Sequence, residues 1–177
     1  NEKNAILINL DYGIGMGILI DGKIYHGKSG FSGELGHIPV FDNEIICHCG
    51  KKGCLETEAS GIALLRKFKE RIQAGSTSLA FDGTRAIETI TLQNIIEAAK
   101  NEDTLCIEIL EELGEKLGKA IAIVINIFNP ETVILGGTLS ETGEYLRFSA
   151  KSTLNRLSHS IVNNDTSLKV SQLGEKA

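Results

Sequence analysis

The sequence has no apolar run approaching the ~20 residues a membrane-spanning helix needs, and its longest candidate, Ala120 to Phe128, is better read as the buried end of a helix. It also has no basic stripe. Its 18 lysines and arginines are scattered among 23 acidic residues, for a formal charge of −5. This segment should therefore not bind DNA by itself, because nothing in it tracks a row of phosphates. No charged segment followed by an apolar one opens the chain, so no secretory signal is visible and a cytoplasmic location is expected. Internal repeats and low-complexity stretches are missing too. What remains, 177 residues with 42% hydrophobic content, fits one globular domain over residues 1–177. The absence of an initial Met, and an ending on Leu173 to Ala177 that reads like an opening helix turn, suggest a segment truncated at both ends.

Apolar runs at Ala5 to Leu10, Met16 to Ile20 and Lys23 to Tyr25 read as strands, with Asp21-Gly22 as a two-residue hairpin turn. Gly27 to Gly36 holds four glycines and two serines and reads as a loop leading straight to His37. Ser60 can cap a helix with Ile62, Leu65 and Phe68 on its apolar face, and Thr91 another through Ile95 and Ile96. The longest helix is expected from about Asp103 to Phe128, with Leu105, Ile109, Leu113 and Leu117 on one face. Its second half is apolar nearly all round and expected to be buried, and Pro130 blocks its continuation. A strand at Thr132 to Leu135, a helix from Glu144 to Arg156 and a strand at Leu168 to Val170 complete an α/β pattern of helices on a mixed sheet.

Three of the four cysteines fall within eight positions, in Cys47-His48-Cys49-Gly50-Lys51-Lys52-Gly53-Cys54. A disulfide framework would spread its pairs through a small secreted chain, so this crowding points to metal. Zinc takes four sulfur or nitrogen ligands, so three thiolates need one more donor, from His37 or His48. His48 would strain to converge with the cysteines on either side of it, whereas His37 arrives from a glycine-rich loop, and His37 is favoured. A closed shell of His37, Cys47, Cys49 and Cys54 leaves no open position, so such a zinc would be structural. Cys106 reads as a small buried hydrophobe on the long helix.

Gly33-Glu34-Leu35-Gly36-His37, the cysteine knuckle, and Cys54-Leu55-Glu56-Thr57-Glu58-Ala59-Ser60-Gly61 together closely resemble the hallmark of the ROK family of repressors, uncharacterised frames and sugar kinases. Val133-Ile134-Leu135-Gly136-Gly137 resembles that family's second glycine turn, and Leu173 to Ala177 the start of its closing helix. The resemblance implies an actin-like ATPase, ribonuclease H-like fold of two lobes, with this chain as most of the C-terminal one. It implies that Glu34, His37 and Glu56 bind sugar hydroxyls, His37 through one ring nitrogen while the other binds zinc. Metal on one nitrogen would fix the tautomer and make the other a dependable donor. Glu58, beside the same knuckle, is expected at the surface.

Asp11-Tyr12-Gly13-Ile14-Gly15-Met16-Gly17 stands where the kinases of that family carry a phosphate-binding turn. Gly13 and Gly15, with Gly136 and Gly137 of the second turn, are the candidates for cradling phosphate. Asp11 and Tyr12 replace the expected glycine and threonine, and Thr138 stands where a third glycine is common; both changes should weaken nucleotide binding. The favoured implication is the sugar-sensing lobe of a NagC/XylR-like transcriptional repressor. It would take a sugar or sugar phosphate, reach DNA only through a missing N-terminal domain, and assemble as a homodimer or homotetramer. The alternative is the C-terminal lobe of an ATP- and Mg²⁺-dependent hexose kinase of the glucokinase or N-acetylhexosamine kinase type. The Asn-Asp motif that supplies the catalytic Asp in those kinases belongs ahead of residue 1, so this segment is not a complete kinase.

Overall fold

The computed structural model describes residues 2–84 and 86–171; the expected closing helix at Leu173 to Ala177 lies outside them. Strand β1 (Ala5–Leu10) pairs antiparallel with β2 (Ile14–Ile20), and β2 with the short β3 (Lys23–Ile24). Asp21 and Gly22 both have positive φ, 49° and 75°, so the hairpin turn follows the right-handed twist of its strands. On its other side β1 pairs in parallel with β4 (Thr132–Gly136), which pairs in parallel with β5 (Ser167–Val170). The sheet order is β3-β2-β1-β4-β5, a mixed sheet as expected. β2 begins earlier than the apolar run at Met16, because Ile14 faces Leu10 in the ladder and is buried.

Between β1–β3 and β4 the chain forms α1 (Glu56–Ala59), α2 (Gly61–Gln73), α3 (Leu92–Lys100) and α4 (Thr104–Phe128). After β4 come α5 (Glu144–Leu157) and the short α6 (Ser160–Asp165), the latter not anticipated from periodicity. The caps explain the boundaries. Ser60 accepts from the Ala63 amide, Thr91 and Asn94 form a reciprocal capping box, and α4 ends on Asn129 in the left-handed conformation just before Pro130.

Two expectations about faces need correction. On α2 the buried side is Ala63, Leu64 and Phe68, while Ile62 is exposed. The amides of Gly61 and Ile62 donate to the carbonyls of Asp11 and Tyr12, and this anchorage sets how the helix is rotated. On α4, Leu105, Ile109, Leu113 and Leu117 are buried as expected, and so are Ala120, Ile121, Val124 and Ile125. Ile123, Ile127 and Phe128 are not, since their side of the last turns is left uncovered. Cys106 is fully buried, as read. One core cluster runs from the sheet (Ile6, Ile8, Leu10, Val133, Leu135) through α4 to α2 and α3.

Asp103 ties the start of α4 to the preceding loop. One oxygen accepts from the Cys106 amide at 2.8 Å, the other from the Leu79 amide at 2.6 Å. Burial would raise this carboxyl, but those amides outweigh it and hold it below the usual range. A depressed carboxyl contributes stability above its unfolded pKa and loses it as pH falls through the folded value. Asp103→Ala should therefore cost about 2 kcal/mol in urea unfolding at pH 7, from a lost cap and an unpaired amide. The gap between variant and wild type should narrow below about pH 4. A gap that stays constant with pH would show that the charge is not what stabilises the helix start.

Candidate metal centre and ligand site

The glycine-rich loop is bound to the sheet edge before it reaches the site. The Met16 amide donates to the Gly33 carbonyl, and Leu35, buried, anchors a 3-10 turn over Leu35–His37. The knuckle is clamped by isolated antiparallel bridges, Pro39 with Cys54 and Ile46 with Lys52. Inside it the Cys47 amide donates to Lys51 and the Gly50 amide returns to Cys47. These loops bring His37, Cys47, Cys49 and Cys54 together, with one potential ligand atom from each within 4.8 Å of the others.

The spacings fit one metal. Sulfurs bound at ~2.3 Å to a shared tetrahedral centre sit roughly 3.8 Å apart, and a sulfur and an imidazole nitrogen somewhat closer. Cys49 Sγ and Cys54 Sγ are 3.7 Å apart, and His37 Nδ1 is 3.5 Å from Cys47 Sγ. The cluster could hold a metal ion, and His37 rather than His48 joins the three thiols. Burial pushes the Cys54 thiol up to about 12 and raises that of Cys47, while the Lys51 amide lowers that of exposed Cys49. Two of the thiols are thus poor thiolates unless a cation sits between them.

With Nδ1 directed at the thiols, His37 Nε2 faces outward, 3.8 Å from the exposed Glu34 carboxylate. Glu56 approaches from α1 and is only 6% exposed. Its Oε2 accepts from the Ile14 amide at 3.0 Å, and its Oε1 lies 2.8 Å from His48 Nδ1. The His37 and His48 rings meet edge to face at 4.8 Å. Glu34, His37, His48 and Glu56 therefore form a continuous polar row. Glu58, expected at the surface, is buried instead. It turns away from this row, accepts from Asn43 at 2.7 Å and pairs with Lys67 at 3.4 Å, which compensates its burial.

Side chains of the chain itself reach into both glycine turns, Glu56 beside Gly13 and Asp11 onto Thr138, while the space beside Gly15 is open. A Cβ on Gly13 would come within 2.6 Å of Glu56 Oε2, so the space beside that glycine is filled by this carboxylate. Gly15 lies in β2 opposite Asn9. Gly136 ends β4, and Gly137 precedes the 3-10 turn Thr138–Thr142. Asp11 Oδ1 accepts from both the amide (2.8 Å) and the hydroxyl of Thr138, while its Oδ2 accepts from Asn9. Burial would raise the Asp11 carboxyl, but these donors prevail and lower it, favouring the charged form. The sequence showed both departures, Asp11 and Thr138; it did not show that one answers the other. His48 and the Ile14 amide were not foreseen as partners of Glu56 either.

A family model described as ROK family matches residues 1–177. The chain belongs to the ROK family. It is 35% identical over 175 residues to the xylose repressor of Caldicellulosiruptor bescii, covering 99% of this chain and 44% of that protein. It is 38% identical over 146 residues to a glucokinase of Halalkalibacterium halodurans, covering 81% of this chain and 44% of the relative. Among solved structures, a ROK family transcriptional regulator homologous to the E. coli MLC protein superposes with a TM-score of 0.87 at 38% identity, over 95% of this chain and 41% of that one. A ROK glucokinase from Streptomyces griseus, bound to glucose and AMPPNP, superposes with a TM-score of 0.89 at 32% identity, over 99% and 58%. This ROK chain therefore has the actin-like ATPase fold and spans less than half of the sequence relatives it matches, which include repressors and kinases alike. Among the described residues, no helix is long and apolar enough to cross a membrane.

Proposed function

We propose that this ROK chain is the sugar-sensing lobe of a NagC/XylR-like transcriptional repressor, carrying a structural zinc on His37, Cys47, Cys49 and Cys54. The observation that carries the reading is the Asp11–Thr138 clasp. An amide and a hydroxyl that could receive a phosphate oxygen already hold a carboxylate of their own chain, and a phosphate arriving there would meet that negative charge. Glu34, His37 and Glu56 offer the complementary chemistry for neutral hydroxyls: two carboxylates to accept hydrogen bonds and an imidazole nitrogen to donate one. Zinc on Nδ1 would hold the His37 ring in place and leave the proton on Nε2.

Regulation in such a protein is a population shift. The sugar favours one arrangement of the two lobes over another, and the equilibrium of the DNA-binding heads follows. The alternative, an ATP-dependent hexose kinase, needs the clasp to open for nucleotide. The test is to assay the full-length protein for ATP-dependent phosphorylation of a hexose panel while sugar binding is followed by calorimetry. Binding without turnover is expected; turnover of any hexose would overturn the sensor reading and show that the clasp yields to nucleotide.

A further inference from the structure

A groove of about 360 Å³ opens beside Glu56, between the knuckle and the start of α2. Its apolar lining comes from Ile45 and Ile46 of the knuckle and Ile62 and Ala63 of α2. Ile46 and Ile62 are 69% and 53% exposed, two large apolar side chains left in water on separate elements at the same opening. The charged groups that line it are already engaged. Glu56 holds the Ile14 amide and His48, and the Arg66 guanidinium is taken by Glu70 and the Thr57 carbonyl. The groove therefore offers hydrophobic contact and little else, and it shares one wall, Glu56, with the polar row of the ligand site.

We infer that the groove receives an apolar substituent of the effector, so that the preferred ligand is a sugar bearing an aryl or alkyl group as a glycoside, rather than the free sugar. The inference rests on the reading of Glu56 as a sugar-hydroxyl ligand. A sugar whose hydroxyl takes the place of His48 on Glu56 Oε1 has its neighbouring substituent at the mouth of the groove. A phenyl ring there would cover Ile46 and Ile62, a contact that a polar or charged substituent would not provide.

The experiment compares glucose, xylose and N-acetylglucosamine with their phenyl β-glycosides by calorimetry on the full-length protein, wild type and with Ile46→Ser or Ile62→Ser. For the sugar that binds, the phenyl glycoside should bind about tenfold tighter, the gain expected from removing roughly 60 Å² of apolar surface from water. Each serine variant should abolish most of that gain and leave the affinity for the free sugar unchanged. Equal affinities, exclusion of the glycoside, or a gain that survives both substitutions overturns the inference and leaves the sugar reading standing. Failure of every sugar and glycoside to bind overturns the sugar reading, and the groove assignment falls with it.

Discussion

On the proposal that zinc sits on His37, Cys47, Cys49 and Cys54, Cys54→Ser should strip the full-length protein of that metal and loosen the segment from His37 to Glu56. Cys54 is fully buried, its sulfur lies 3.7 Å from Cys49 and 3.5 Å from the His37 carbonyl, and its backbone bridges Pro39. A serine there leaves a buried hydroxyl and three ligands for a metal that prefers four. Structural zinc can contribute ~10 kcal/mol or more where it alone holds a fold. Here a large hydrophobic core runs from the sheet through α4 to α2 and α3, so a smaller loss of about 3 to 5 kcal/mol is expected, within the range for removing a structural staple. Metal analysis should fall from about one zinc per chain to near none, and amide exchange should quicken across residues 37–54 while α4 stays protected. In the wild type, zinc affinity should rise with pH, because binding must release the protons of the raised Cys47 and Cys54 thiols. Full zinc content in Cys54→Ser would remove Cys54 from the ligand set.

Gly33→Ala is expected to be the most damaging single-methyl change on the ligand side. Gly33 has φ of +87°, and a Cβ there would sit 1.9 Å from the Met16 carbonyl oxygen, a backbone atom fixed within β2. Gly30, three positions earlier, has nearly the same φ of +83° with nothing within 4 Å of its added Cβ. Gly30→Ala therefore measures the cost of the left-handed conformation alone, about 1 kcal/mol. Gly33→Ala adds a collision that only a shift of the loop can relieve, for a total of roughly 3 kcal/mol or more. Because Glu34 and His37 follow directly, that shift should also weaken sugar binding at least tenfold, whereas Gly30→Ala should leave it intact. Similar denaturation midpoints for the two variants would mean that the Gly33–Met16 contact is not tight in solution.

Much of the fold could be read from local signals because those signals act locally. Asp21-Gly22, Thr91, Asp103 and Pro130 each specify a turn or an end within a few residues, and the structure puts boundaries there. The convergence of His37 with Cys47, Cys49 and Cys54 was legible for the same reason, since the three cysteines lie close together in sequence. What escaped depends on residues far apart along the chain. The burial of Glu58 follows from Asn43 and Lys67, the rotation of α2 from the carbonyls of Asp11 and Tyr12, and the pairing of Asp11 with Thr138 from two turns meeting at the ends of adjacent strands. In each case the residue types were visible while the partner was not.

The placing of β1 at the centre of the sheet has a further consequence. Its first partner, β2, follows within a few residues, but its second, β4, pairs Thr132 with Ala5 only after all of α1 to α4 has intervened. As the polypeptide leaves the ribosome, the β1–β2 hairpin emerges with one edge of β1 unpaired and with Ile6, Ile8 and Leu10 awaiting the helices that will cover them. That bare edge is a template for any other extended chain nearby. The long-range pairing that completes the sheet is also the slow kind to form. Synthesis that outpaces the formation and docking of α4 would therefore leave that edge of β1 exposed to other chains for longer.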